Sequence, residues 1–154
     1  MSLTADLPQD LEALADSLSA SADALHERIM RGIRRQQRLD GGDGVDVATP
    51  LTQGAAQALF ENEVALRQQA NSLYVDAASH SLEGMGVNLP ELLRLAAQAR
   101  EAIRRIDRVK ELAGVSADLL AMAAAIAAAR PEHLAAPLQS LKKQLAARQA
   151  RGSA

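Results

Sequence analysis

Leu11, Leu14, Leu18, Ala22, Leu25, Ile29 and Ile33 recur three and four positions apart, with polar residues between them. That period predicts an amphipathic helix from about Pro8 to Arg38 with one buried stripe. A second helix is predicted from about Leu51 to Glu83, and it carries two apolar stripes. One is Leu59, Leu66, Ala70, Leu73 and Ala77. The other is Phe60, Val64, Tyr74, Ala78 and Leu82. Two stripes predict two packing partners and a central position. Gly84 and Gly86 are expected to end this helix.

The third helix is predicted to start at "NLPE", with Asn88 as cap and Glu91 three residues on, as in a capping box. Leu92, Ala96, Ala99, Ile103, Ile106 and Ala113 form its stripe, and Gly114 is expected to stop it. Ser116 is the predicted cap of the fourth helix, with Val115 and Leu120 spaced as a hydrophobic staple. That helix runs to Arg130. Pro131 and Pro137 then interrupt the pattern, which resumes at Leu138, Leu141 and Leu145.

Punctuation fits this division. "DGGDGVDVATP", Asp40 to Pro50, reads as a flexible loop, with Thr49 and Pro50 suited to the next helix start. The tail 148–154 is expected to fray. No run of β-branched residues suggests a strand, and no fixed-period repeat is present. Short links between long helices predict antiparallel neighbours. The expected fold is one all-α domain, 1–154: an antiparallel up-down-up-down four-helix bundle. Its last helix is a single rod broken near Pro131 and Pro137, and that last segment is a candidate for detachment.

"LLAMAAAIAAA", Leu119 to Ala129, has no polar face. Two readings follow. In one the alanines are core, letting backbones approach closely while Met122 and Ile126 fill the gaps. In the other part of this surface, with Met122 and Ile126, receives a second copy or a partner helix. A membrane span is excluded on length, since the run has eleven residues and a span needs about 20.

Composition narrows the chemistry. The chain has 154 residues, 48% of them hydrophobic but only 1% aromatic, and no cysteine. Disulfides, thiolate nucleophiles and zinc–sulfur sites are therefore excluded. A formal net charge of −2 gives no global pull toward nucleic acid. The opening "MSLTADLPQD" lacks a basic segment followed by an apolar one, so a cytoplasmic location is expected.

Candidate catalytic and metal groups are sparse. His26 and His80 are expected ~24 Å apart along the bundle. His80 and His133 fall near one end with Asp76, Glu83, Glu91 and Glu132. The Glu-x-x-His motif of di-metal bundles is missing there. Asp40, Asp43 and Asp46 repeat every third residue, unlike a calcium loop. Ser72, Ser79 and Ser81 lie inside helical segments, away from any sharp turn. Neither enzyme activity nor a cofactor or metal is expected.

The strongest polar signal is arginine. Arg28, Arg31, Arg35 and Arg38 share one helix face, flanked by Arg34, and Arg100, Arg104 and Arg108 share another, beside Arg105. Both groups are expected at one end of the bundle, with Asp6, Asp10, Glu12 and Asp16 at the other. Helix dipoles alone explain cations near helix C-termini and anions near N-termini. The alternative is an anionic partner met by Arg28, Arg31, Arg35, Arg38, Arg104 and Arg108. Nucleic acid is disfavoured, because Phe60 and Tyr74 sit on an expected core stripe instead of offering stacking platforms.

The alanine–leucine composition is similar to that of storage-granule coat proteins, secretion-system accessory proteins and bundle-type sensor domains. It carries no motif, so no site residue is transferred. The expected function is a non-enzymatic interaction or scaffold protein whose partner is a protein or a second copy of itself, as a homodimer.

Overall fold

The computed structural model describes residues 7–40, 51–79, 88–106 and 108–152. Their regular structure is helical throughout: α1 (Leu7–Asp40), α2 (Gln53–Ser79), α3 (Leu89–Arg105), α4 (Val109–Ala127) and α5 (Ala135–Gly152), with a 3₁₀ turn at Pro131–His133. The expected loop 41–50 and the expected stop at Gly84 and Gly86 lie outside the described residues. Among the described residues no helix is long and apolar enough to cross a membrane.

The α1 stripe behaves as its period demands. Leu11, Leu14, Leu18, Ala22, Leu25 and Ile29 are buried, and Ile33 is half-buried against the same core. Each fully buried leucine contributes about 1.5–3 kcal/mol. α1 and α2 run in opposite directions: Asp16 meets Tyr74, Asp23 meets Arg67 and His26 meets Glu63. α3 packs on α1, and α4 packs on α2. Among the described residues α2 and α3, although consecutive, share at most a marginal contact. The helices thus fit a bundle, with α5 lying against both α3 and α4.

Three expectations are corrected. The turn between the third and fourth helices lies at Ile106–Arg108, where Ile106 (ψ 129°) and Arg108 (ψ 123°) are extended. Gly114 and Ser116 are therefore inside α4. Ser116 is buried there, donating to the Ala113 carbonyl at 3.1 Å and accepting from Asn62 Nδ2 at 3.0 Å. Gly114 serves close approach: a Cβ there would lie 2.7 Å from Gln144 Oε1 on α5.

The described side chains of the second stripe of α2 are largely surface, its Ala78 and Leu82 side chains lying outside the described residues. Phe60 is half-buried, Val64 is 53% exposed and Tyr74 39% exposed. The two partners of α2 are instead α1 and α4.

The last segment is no continuation of α4. Ala129 adopts φ 55°, and the Arg130 N–H returns to the Ala125 carbonyl at 2.9 Å. This is a Schellman-type reversal. α5 then runs back along α4, because Asp118 meets Ser140 while Glu111 meets Arg148. Pro137 sits in the first turn of α5, where a missing N–H costs nothing. Leu134, Leu141 and Leu145 seat the segment in the core. α5 extends through Gly152.

The Asn88 cap forms as expected: its Oδ1 accepts from the Glu91 N–H at 3.2 Å. The Glu91 carboxylate, however, pairs with Lys142 of α5.

Candidate interaction surfaces

"LLAMAAAIAAA" does acquire a face. Leu119, Met122, Ala123, Ala125 and Ile126 are buried, so Met122 and Ile126 are core and have no exposed surface to offer a partner. Ala117, Ala121 and Ala128 are exposed, with Ala124 half-exposed between them. Their spacing of four, three and four places them on one side of α4.

Beside this side lies the outer stripe of α2. Val75 is 70% exposed, and Gln68 and Ser72 are also exposed. A shallow depression of about 550 Å³ is lined by Gln69, Ser72 and Val75 of α2 and by Ala124, Ala127 and Ala128 of α4. A smaller one, about 290 Å³, lies around Phe60, Val64 and Gln68.

The electrostatics of this face are simple. Arg67 is the only charged residue between Val64 and Val75, and Asp118 the only one between Val115 and Ala129. Arg67 turns toward α1, where it lies 2.9 Å from Asp23 and 3.1 Å from Glu63. Those two carboxylates raise its pKa, the hydrogen bond to Asp23 most. Asp118 turns toward α5, accepting from Ser140 Oγ at 2.6 Å and from Gln144. The face between them is neutral, and Glu61, exposed and lining the depression around Val64, stands at its edge.

The Arg67 partner Glu63 belongs to a polar seam that sequence reasoning missed. Glu63 is buried and meets His26 Nδ1 at 2.9 Å, while the His26 ring lies 5.9 Å from Phe60. Glu63 and Arg67 at i and i+4 were the available signal. Among the described residues no three His, Asp or Glu side chains are grouped as a metal ion would require. His133 is exposed in the 3₁₀ turn, and His80 lies outside the described residues.

The arginine clusters divide. Arg28 is half-buried and donates to the Ile106 carbonyl at the C-terminus of α3. That bond brings the α1 stripe and the end of α3 together. It also commits Arg28 to structure, as a cation on helix-terminal carbonyls. Arg31, Arg35, Arg104 and Arg108 are exposed. Arg104 lies 3.5 Å from Glu101, an exposed pair of little energetic weight. The side chain of Arg38 lies outside the described residues. The chain matches no protein-family model, no curated protein and no solved structure.

Proposed function

We propose that this chain is a non-enzymatic interaction or scaffold protein that self-associates as a cytoplasmic homodimer through the neutral α2–α4 face. The observation that carries this reading is the exposure of Val75 beside the alanines of α4, with Arg67 and Asp118 turned away. Removing such a surface from water is favourable, and small side chains allow close approach of a second bundle. A neutral face is compatible with its own copy, as a two-fold interface requires. In this reading α1 to α4 form an up-down-up-down bundle, and the outward sides of α2 and α4 are the contact.

The test is molar mass by light scattering at low and high salt, with Ala121→Lys as the variant. A dimer at both salts that becomes monomeric in Ala121→Lys is expected. A monomer at both salts would overturn the proposal.

A second reading rests on the Arg28–Ile106 bond, which gathers two arginine clusters at one end. Arg31, Arg35, Arg104 and Arg108 there would meet an acidic protein or an anionic surface. Binding to such a partner would weaken steeply with salt, and unchanged binding after Arg31→Ala and Arg108→Ala would exclude it.

A further inference from the structure

α3 and α5 lie side by side. Lys142 pairs with Glu91 near one end of their contact, and Leu145 and Arg148 follow level with Ala97 to Arg105. Between the two helices runs an open groove of about 680 Å³. Its floor is apolar, formed by Ala97, Ala102 and Leu145. The alanines keep it open where larger side chains would fill it. From Ala97 to Arg105 it is roughly 12 Å long at 1.5 Å per residue.

The rim is basic. Arg100, Arg105 and Arg148 line it, together with Glu101. Arg100 Nε is buried and has no hydrogen-bond partner, its nearest carboxylate oxygen on Glu101 being 3.8 Å away. Arg148 is balanced by Glu111 at 3.6 Å, and Arg100 by Glu101. No ion pair engages Arg105 among the described residues. One cationic charge on the rim therefore lacks a counter-charge.

We infer that the α3–α5 groove binds a small amphiphilic monoanion: a medium-chain carboxylate whose head meets Arg105 and Arg100 and whose apolar body lies on Ala97, Ala102 and Leu145. Guanidinium groups match carboxylates with two parallel hydrogen bonds. An apolar floor with a few polar groups at its edge is the usual form of a small-molecule site. Glu101 and Glu111 beside the arginines repel a polyanion, which sets the ligand charge at one. This site is separate from the α2–α4 face and from the arginines of α1.

The test is octanoate titrated into the isotope-labelled full chain, read as amide shifts, with acetate and octanol as probes lacking the body or the charge. Saturable shifts are expected at Ala97, Gln98, Leu145 and Gln149, with acetate and octanol at least about ten-fold weaker. Arg105→Gln should weaken octanoate about ten-fold, the scale of one charge-assisted contact. Ala97→Leu, which fills the floor, should weaken it as well. Arg34→Gln removes the same charge from the exposed side of α1 and should change nothing. Equal weakening by Arg34→Gln and Arg105→Gln would overturn the site, as would acetate binding as tightly as octanoate. Far-UV circular dichroism confirms that each variant is folded.

Discussion

Tyr74 of α2 donates its phenolic hydrogen bond to Asp16 of α1, across the seam between the two longest helices. The bond holds the proton, and the Asp16 charge opposes its loss, so the Tyr74 pKa is raised above the ordinary tyrosine value. This is the only tyrosine, and there is no tryptophan, so the alkaline absorbance change of the whole protein reports one group. The titration midpoint should lie above the ordinary value and return toward it in Asp16→Asn. A raised folded pKa means that the stabilisation is complete below the unfolded value, near 10. It is lost as pH rises through the folded value. Tyr74→Phe should therefore lower stability at pH 7 and lose that difference at high alkalinity.

Glu91 behaves in the opposite sense. Its pairing with Lys142 lowers its pKa, and the cation of Arg94 adds to the effect. A lowered folded pKa contributes stability that is present above the ordinary carboxylate value and disappears as pH falls through the folded one. Glu91→Gln should melt below the wild type at pH 7. The two curves should converge in acid and draw together in high salt, because the pair is partly exposed. Parallel melting temperatures across the whole pH range would show that the pair contributes nothing.

Gly114 should show a sign reversal. Alanine in a helix interior is favoured over glycine by roughly 1 kcal/mol. In the wild type an added Cβ would displace Gln144, whose amide donates to Asp118. Gly114→Ala is therefore expected to destabilise by about 1 kcal/mol, as a charge-assisted hydrogen bond is lost. In a Gln144→Ala background the same substitution should stabilise by up to about 1 kcal/mol. Urea unfolding of the four proteins completes the cycle.

Ala129 holds φ 55°, in the left-handed region that penalises any Cβ. Ala129→Gly should raise stability by roughly 1 kcal/mol, and Ala129→Val should lower it by at least as much. Thermal melts of the two variants decide this, and a stabilising valine would be incompatible with the observed backbone.

What could be read from the sequence followed physical asymmetry. The α1 stripe was legible because a single apolar row faces a single core. The second row of α2 has the same spacing, but periodicity does not say which row finds a partner: Val64 faces outward and Tyr74 lies half-exposed on the seam with α1. The turn after α3 contains neither glycine nor proline, whereas Gly114 resembles a stop while serving the approach of Gln144. The exposed side of the alanine helix was legible as one of two readings. The α3–α5 groove was not, because it exists only once Ala129 reverses the chain and brings Arg148 against Glu111.

The chain reversal at Ala129 sets the order of assembly. Asp118 reaches Ser140 across 22 positions and Gln144 across 26, whereas His26 reaches Glu63 across 37, Tyr74 reaches Asp16 across 58 and Arg28 reaches Ile106 across 78. Longer loops cost more entropy to close before their contacts repay it. The α4–α5 hairpin should therefore be native-like in the folding transition state, with α1 and α2 docking afterwards. Trimming Leu141→Ala should slow folding, while Leu18→Ala should chiefly hasten unfolding, so the persistence of the folded chain is governed by its first helix.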